Sequence, residues 1–427
     1  MRVSLLLLCG RLAHARGALT AQLSHGGYLP LVGLGVGNLQ PELVPAVVER
    51  AVRELGVRHI DTAAASRNER AISLAVERAG VPDGAVSIQT KVWYTHLGYN
   101  RTMLSVRDSL AQLGARAARN ATVLIHWPRC RRDIPWMACE REEAELPPRV
   151  RAAGPAPHLD PDGAWLESWR ALEDLHAAGE LATIGVSNCD VADLRALAAR
   201  ARALPHVLQG NVWSFVFDPQ LVRWLREHRV TFQAYNVMNG VLGQRRRAPA
   251  AHRALEALGA RLGGASASAV VLRWLAGEGV GAIPRASRDA HLADNAPASV
   301  AAVPALSEAQ RAEVRGAVAS LLRGEGGGED APADEDAQRQ QEQGVQQGVH
   351  VTFVNRRDAP ARVYWIHSDT GEEIPATETI PAGGSASVQS HPGHRFVAKH
   401  FETGERHSEF ELTGESRQQF HIGAEEL

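Results

Sequence analysis

Three polar side chains, each at the end of a short apolar run, are the residues of this chain best suited to chemistry. Asp61 follows His59-Ile60, Lys91 comes at the end of a run that starts at Val86, and His126 follows Ala121–Ile125. Helix-like patterns separate the three runs. An ammonium group beside a carboxylate and an imidazole can stabilise developing negative charge and assist proton transfer.

Repeated strand and helix patterns must position these side chains. Such alternation predicts parallel strands joined by helical crossovers. Eight strand units are counted between Leu31 and Arg285, and eight close an α/β (β/α)8 TIM barrel. Polar residues at the carboxyl ends of barrel strands face one mouth, so Asp61, Lys91 and His126 are expected to meet there. A turn at Gly26–Pro30 predicts a hairpin before the first barrel strand.

Lysine is rare in this chain. Only Lys91 and Lys399 occur among 46 basic residues, and the others are arginine. Lysine carries a compact ammonium group whose pKa can be adjusted, whereas the guanidinium of arginine stays charged. This difference favours a chemical reason for lysine at position 91. The alternative is a chance lysine at a strand end.

Five motifs in order resemble those of the aldo-keto reductases, over about residues 20–320. They are His59–Ala63, Asn68-Glu69, Thr90–Trp93, Leu124–Pro128 and Ile184–Asn188. The resemblance implies a (β/α)8 barrel that reduces aldehydes or ketones with NADPH, and a small-molecule carbonyl substrate. It places Asp61, Lys91 and His126 in three of the four catalytic positions.

Ser66 occupies the fourth catalytic position, where the family has a tyrosine. A serine hydroxyl is a weaker acid than a phenol and has a shorter reach, so the general-acid contribution should fall. Tyr94, an imidazolium at His126, or a water held by Ser66 and Lys91 could replace the phenol. The competing hypothesis is a catalytically inactive barrel that binds cofactor or ligand and serves as a scaffold.

The same resemblance implies a set of cofactor contacts. Ser187, Asn188 and Gln209 match the positions that hold the nicotinamide carboxamide, Tyr235 the ring that stacks on it, Arg285 a 2′-phosphate contact and Asn295 an adenine contact. Ala286 and His291 replace a serine and an arginine of the phosphate site, so NADP is expected and NAD stays open. Arg245–Arg247 could add phosphate contacts or form a solvated surface.

A long segment, Arg129–Gly163, follows the strand that ends at His126. Its proline, arginine and glutamate content predicts an irregular loop over the mouth, and long loops in compact domains are usually functional. Trp136 and Met137 could contact substrate there, or pack the loop onto the barrel rim.

Composition sets limits on partners and compartment. A net charge of −2 and a pI near 6.8 give no reason to propose nucleic acid, and no apolar run is long enough to span a membrane. Four cysteines without ligand spacing predict no metal site and no disulfide framework, so reduced thiols in the cytoplasm are expected. Residues 1–18 are compatible with a cleaved targeting segment, which is an alternative to a purely cytoplasmic protein.

The composition changes after the barrel, which is assigned to residues 19–322. Residues 323–348 are rich in glycine, acids and glutamine and predict a flexible linker. Short runs of β-forming residues over 349–427 predict a small all-β sandwich.

The predicted sandwich resembles the β-domain of the von Hippel-Lindau tumour suppressor in Val354–Arg356, Val363–Trp365, Ile380–Gly383 and Ser390–His394. That resemblance implies a pocket for a proline-containing peptide, with Trp365, Ser390 and His394 at matching positions. Thr377 replaces a pocket tyrosine and Phe396 a pocket tryptophan, so a preference for hydroxyproline does not carry over. A purely structural β-module is the alternative.

Overall fold

A short antiparallel hairpin opens the described part of the chain. The computed structural model describes residues 19–37, 39–132, 134, 136–324, 349–366, 373–377, 379–390, 394–413 and 417–423. Strands β1 (Thr20–Gln22) and β2 (Tyr28–Pro30) pair across a turn, as predicted. Leu23 and Leu29 of this hairpin pack against Leu124 and Val207, and Val207 is the first residue of a barrel strand, so the hairpin covers the amino-terminal end of the barrel. The predicted targeting segment and nearly all of the predicted linker lie outside the described residues.

Eight parallel strands follow the hairpin and form one sheet in chain order. They are β3 (Leu34–Gly35), β4 (His59–Asp61), β5 (Ser87–Val92), β6 (Ala121–Ile125), β7 (Thr183–Ser187), β8 (Val207–Asn211), β9 (Thr231–Tyr235) and β10 (Gly281–Ala282). The first and last strands meet because Ala282 accepts a hydrogen bond from Gly33 at 2.9 Å and donates one to Leu31 at 2.8 Å. The sheet is therefore closed, and the predicted TIM barrel is confirmed.

Helices surround the barrel and connect its strands. They are α1 (Val44–Arg53), α2 (Glu69–Arg78), α3 (Tyr99–Ala118), α4 (Cys139–Glu145), α5 (Pro148–Arg151), α6 (Ala164–Ala177), α7 (Val191–Ala198), α8 (Val212–Phe217), α9 (Pro219–Glu227), α10 (Val237–Val241), α11 (Pro249–Arg261), α12 (Ala267–Gly277), α13 (Asp289–Asp294), α14 (Pro297–Ala302) and α15 (Glu308–Arg323). In α1, Val44, Val47, Val48 and Val52 recur at helical spacing and are buried, so the apolar stripe faces the sheet.

The segment between β6 and α6 is more regular than its composition predicts. It contains α4, α5 and a short 3-10 helix at Pro157–Leu159. The prediction of an irregular loop is wrong, because contacts with the barrel rim stabilise short helices that local composition does not reveal.

The carboxyl-terminal part of the chain forms a separate all-β unit. Contacts divide the chain into two compact units, Met1–Ala333 and Asp334–Leu427. The second unit has one sheet in the order β14-β11-β17 and another in the order β13-β12-β15-β16. Its strands are β11 (Val349–Asn355), β12 (Ala361–Ile366), β13 (Glu373–Pro375), β14 (Ser385–Ser390), β15 (Arg395–His400), β16 (Arg406–Glu411) and β17 (Arg417–Ile422). Buried residues from both sheets share one core, with the Phe353 and Phe396 rings 5.4 Å apart.

Candidate active site

The ends of three neighbouring strands bring the predicted catalytic side chains to one mouth. Asp61 is the last residue of β4, Lys91 is next to last in β5, and His126 directly follows β6. Because these strands are parallel and adjacent in the sheet, their carboxyl ends lie side by side.

Asp61 and Lys91 form a buried ion pair. Lys91 Nζ lies 2.7 Å from Asp61 Oδ1 and 2.9 Å from Oδ2, and it also donates to the Thr62 carbonyl at 2.7 Å. Lys91 is 5% exposed and Asp61 6%. An ammonium has three hydrogens, so these acceptors use its full donor capacity. Burying two charges is costly unless they are compensated in this way.

His126 lies beside this pair as a neutral imidazole. Burial and then the charge of Lys91 lower the pKa of His126 well below its usual value. Its ring stands edge-on to Trp93 at 4.9 Å between centroids, and its Nδ1 is buried without a hydrogen-bond partner. The ring can therefore orient a carbonyl, but at neutral pH it is a poor source of a proton.

Ser66 lies on a 3-10 turn after β4, at Ala64–Ser66. It is partly buried, and its Oγ lies 3.2 Å from where a β-carbon on Gly37 would stand. No hydrogen bond joins Ser66 Oγ to Asp61, Lys91 or His126. The serine thus occupies the tyrosine's place in the sequence without bonding to the other three groups.

Tyr94 is not positioned as a replacement acid. Its ring is buried, and its hydroxyl donates a short hydrogen bond to Glu142. Burial and the Glu142 carboxylate raise the pKa of Tyr94 above its usual value. A phenol held in this way is a weaker proton donor than a free one.

Asn188 and Tyr235 are joined at the ends of β7 and β9. Tyr235 donates its hydroxyl hydrogen to Asn188 Oδ1 at 2.8 Å, and Asn188 Nδ2 donates to the His126 carbonyl at 2.9 Å. Asn188 has a left-handed φ of 56°, which asparagine tolerates better than most residues. The amide therefore links two predicted cofactor positions to the catalytic mouth.

Two buried polar atoms at predicted cofactor positions have no hydrogen-bond partner. Ser187 is fully buried with an unbonded Oγ, and Asn295 is 7% exposed with an unbonded Oδ1. Such atoms usually gain a partner when a ligand or water binds. At the predicted phosphate positions, Arg285 and His291 are exposed and Ala286 is buried. The unpartnered atoms of Ser187 and Asn295 are suited to the polar groups of a dinucleotide cofactor.

Gln209 has different partners from those expected. Its Nε2 donates to Asp61 Oδ1 at 2.9 Å and to Gln233 Oε1 at 2.8 Å. Both hydrogens of this amide are thus directed into the barrel. Arg245, Arg246 and Arg247 are exposed, as the solvated-surface interpretation expects.

Residues 30–318 match the model of the aldo/keto reductase family, which is more than half of the chain. The chain belongs to the aldo/keto reductase family. The relationship predicted from the five motifs is therefore confirmed. The matched residues end before the β unit, so the likeness of that unit to the von Hippel-Lindau β-domain stays a prediction.

Several curated relatives of this aldo/keto reductase chain match over most of their length. The uncharacterized oxidoreductase YtbE of Bacillus subtilis is 29% identical, and the match covers 65% of this chain and 85% of YtbE. Glyoxal reductase of the same organism is 28% identical, and the match covers 65% of this chain and 86% of the relative. The NAD(P)H-dependent D-xylose reductase of Candida tenuis is 28% identical over 64% and 86%.

Solved aldo/keto reductase structures share the fold of the barrel. The enzyme from Brucella melitensis superposes with a TM-score of 0.56 at 24% identity, covering 70% of this chain and 97% of its own. The Bombyx mori enzyme in complex with NADP gives a TM-score of 0.55 at 22% identity, covering 70% and 92%.

The segment between β6 and α6 of this reductase barrel packs on the rim of the mouth. Glu142 in α4 accepts from Trp93 Nε1 at 2.7 Å as well as from Tyr94. Trp136 stacks on Trp93 with ring centroids 6.0 Å apart, and Met137 is buried. The rim-packing alternative for these two residues therefore describes the structure.

A disulfide between Cys130 and Cys139 closes part of this segment. The expectation of reduced thiols is wrong for these two residues, because the chain folds back and brings together two cysteines whose spacing matches no common motif. Cys189 is free and buried, and burial raises the pKa of its thiol.

A cavity of about 630 Å³ opens beside Asn188 and the disulfide. Its lining comprises Pro128, Arg129, Cys130, Arg131, Arg132, Cys139, His158, Pro161, Asn188, Asp190 and Asp193. Arg129 bonds to Asp193 at 2.7 Å, so the cationic and acidic groups are partly paired.

In the β unit, two of the predicted peptide-binding residues are neighbours. The Trp365 and His394 rings lie 5.3 Å apart. Ser390 ends β14, and its side chain lies outside what the structure describes. Thr377 Oγ1 accepts a hydrogen bond from the Val363 amide at 3.1 Å, and Phe396 is buried in the core. The peptide site stays a prediction.

Neither a membrane helix nor a metal cluster was found in the parts of the chain that the structure describes. None of the helices found there is long and apolar enough to cross a bilayer. The same described residues hold no group of three histidine, cysteine or acidic side chains arranged to bind a metal ion.

Proposed function

We propose that the barrel is an NAD(P)H-dependent reductase of aldehydes or ketones in which Ser66 stands in place of the tyrosine. The observation that carries the proposal is the buried Asp61–Lys91 pair beside neutral His126 at the barrel mouth. Charged groups are kept in such a site at a cost, and they are common where reactions need a fixed charge. Glyoxal reductase and D-xylose reductase, both relatives, are named for carbonyl substrates.

The cofactor would supply a hydride to the carbonyl carbon. Ser187 Oγ would bond the nicotinamide carboxamide, Tyr235 would stack on its ring, and Asn295 would bond the adenine end. The unbonded atoms of Ser187 and Asn295 support this assignment. Arg285 would contact a 2′-phosphate, which favours NADP over NAD through charge.

The proton for the alkoxide would come from a water held at Ser66, and the hydroxide left behind would take up a proton from solvent. Tyr94 is committed to Glu142, and His126 is neutral at physiological pH. The serine hydroxyl would orient the water, and the positive charge of Lys91 would lower the energy of the oxyanion. We therefore expect slow turnover, because a general acid with a tuned pKa is worth about 10²–10⁴-fold in rate.

A second candidate function is a barrel that binds the cofactor without turning over substrate. This scaffold function is favoured by the three acceptors that already surround the Lys91 ammonium. A substrate oxyanion could bond to the ammonium directly only by displacing one of them. In that case the barrel would act as a scaffold joined to the β unit.

The deciding experiment measures NADPH oxidation by the purified full chain against a panel of aldehydes and ketones. Substrate-dependent oxidation is expected, and Lys91→Met should abolish it. Lys399→Met is the matched control, because it removes the other lysine of the chain and should leave turnover unchanged. Turnover that survives Lys91→Met would overturn the assignment. Cofactor binding, followed by protein fluorescence, without turnover at any pH would establish the scaffold function instead.

A further inference from the structure

Below the ion pair, three glutamine side chains form a closed ring of hydrogen bonds with Asp61. Gln89 Nε2 donates to Asp61 Oδ1 at 2.6 Å and to Gln233 Oε1 at 2.6 Å. Gln209 Nε2 donates to the same two oxygens at 2.9 and 2.8 Å. Each amide nitrogen has two hydrogens, so both donors are fully used and both acceptors are shared.

The orientation of this ring is fixed by His59. Gln233 Nε2 lies 2.9 Å from His59 Nε2, and an amide nitrogen can only donate, so the imidazole nitrogen must accept. The imidazole is then neutral, which agrees with burial lowering the pKa of His59 to about 4. If Gln233 were reversed, its Oε1 would no longer face Gln89 and Gln209.

All members of the ring are inaccessible to solvent. Gln89, Gln233 and His59 are fully buried, and Gln209 is 3% exposed. Gln89 Oε1 and His59 Nδ1 are buried without a hydrogen-bond partner, whereas the nitrogens of Gln89 and Gln209 are fully paired. Reversing either amide would bring its oxygen against Asp61 Oδ1 and Gln233 Oε1, which favours the observed arrangement. Asp61 Oδ1 then accepts from Gln89, Gln209 and Lys91 together, which fixes the rotation of the carboxylate and the place of the ammonium.

We infer that Gln89, Gln209 and Gln233, oriented by His59, are positioning residues that hold the Asp61–Lys91 pair in its reactive geometry. This inference assigns Gln209 to the carboxylate and not to the nicotinamide carboxamide. The catalytic part of the inference rests on the proposed function, whereas the effect on Lys91 does not.

Gln233 gives the sharpest test, because it contacts neither Asp61 nor Lys91 by hydrogen bonds. The chain has only two lysines, so isotope-labelled lysine gives two NMR signals, one from Lys91 and one from Lys399 as an internal reference. In Gln233→Leu the Lys91 signal should shift while the Lys399 signal stays in place. An unmoved Lys91 signal would overturn the inference whether or not the protein reduces carbonyls.

Gln209→Leu separates positioning from cofactor contact. The Kd for NADPH should stay within about twofold of the wild-type value, because binding of the cofactor is untouched, while kcat falls about ten- to one-hundredfold through misplacement of the ion pair. Ser187→Ala is the matched comparison and should weaken NADPH binding without moving the Lys91 signal. A weakened NADPH affinity in Gln209→Leu with an unmoved Lys91 signal would return Gln209 to the cofactor.

A single leucine could prevent folding by leaving buried amides without partners. The combined variant Gln89→Leu, Gln209→Leu and Gln233→Leu removes the amide donors together with the Gln233 oxygen that they share, which reduces that penalty. His59 Nε2 loses its donor, and Asp61 Oδ1 keeps Lys91. It should fold, keep its NADPH affinity and show a shifted Lys91 signal. A folded combined variant with the wild-type Lys91 signal would refute positioning by the ring.

Discussion

At the scale of single residues, the choice of lysine at position 91 follows from its surroundings. The ammonium fits between two carboxylate oxygens and one carbonyl oxygen, each within 2.9 Å. A guanidinium is planar and larger, so it could not satisfy these acceptors in the same space. The basic residues elsewhere, apart from Lys399, are arginines, which suit exposed pairs such as Arg261 with Glu313.

The residue that limits turnover should be Ser66. In Ser66→Tyr we expect kcat/KM for an aldehyde to rise about 10²–10⁴-fold, because a phenol restores a general acid beside Lys91. The measurement is steady-state NADPH oxidation.

Ser66→Phe is the matched control, since it adds the ring without the hydroxyl and should give no gain. An unchanged or reduced rate in Ser66→Tyr, with NADPH affinity retained, would mean that the site uses a different proton route.

At the scale of elements, the segment between β6 and α6 is tied to the barrel by buried polar contacts. Arg101 in α3 is almost fully buried and donates to Glu143 of α4 at 2.8 and 2.9 Å. A buried, bidentate pair of this kind gives geometric specificity in addition to attraction. The segment therefore keeps a defined position against the barrel rim.

The disulfide adds a second constraint to this element. Its cysteines are nine positions apart, and closing a loop of this length should stabilise the fold by about 2–3 kcal/mol. The double variant Cys130→Ser with Cys139→Ser should lower the free energy of unfolding in urea by this amount. Trypsin should also cut faster at Arg131 and Arg132, which lie between the cysteines.

A reducing agent should reproduce this loss in the wild type and have no effect on the double variant. If the wild type and the double variant unfold at the same urea concentration under oxidising conditions, the cross-link does not contribute to stability.

At the scale of the whole molecule, buried neutral histidines should make stability depend on pH. Burial lowers the pKa of His59 to about 4 and that of His206 to about 3, and it lowers that of His126 well below the usual value. In the unfolded chain these groups take up protons near pH 6.5. Between that pH and the folded values, the unfolded state binds more protons, so acid favours unfolding.

The free energy of unfolding should therefore fall by about 1.4 kcal/mol per pH unit for each of these histidines below pH about 6.5. Urea titrations at pH about 7, 6 and 5 would measure the slope. His206→Gln is a suitable comparison, because it keeps an acceptor for the Ile184 amide and removes one titrating group. A slope that is identical in this variant would contradict the prediction.

The order of elements could be predicted from the sequence with good accuracy. Parallel barrel strands are buried on both faces, so their sequences are nearly continuous apolar runs, such as Ala121–Ile125. Each run ends at a turn or a polar residue. Apolar residues at helical spacing predict a first helix from about Pro41 to Leu55, and the helix spans Val44–Arg53. The ends differ because they depend on contacts that local patterns do not specify.

The partners of the buried polar residues could not be predicted from the sequence. Gln89, Gln209 and Gln233 lie on three different strands. Only closure of the barrel brings the amide nitrogens of Gln89 and Gln209 to the same two oxygens, Asp61 Oδ1 and Gln233 Oε1. The commitment of Tyr94 to Glu142 and the pairing of Cys130 with Cys139 depend instead on how the segment between β6 and α6 folds back onto the barrel rim.

The sequence by itself determined the eight-stranded barrel, the family and the presence of Asp61, Lys91 and His126 at strand ends. These properties depend on local periodicity and on residue types at fixed positions. The tertiary structure alone decided which of these groups are bonded, neutral or without a partner. Hydrogen bonds and desolvation depend on distances between segments far apart in the chain, which appear only when the sheet closes.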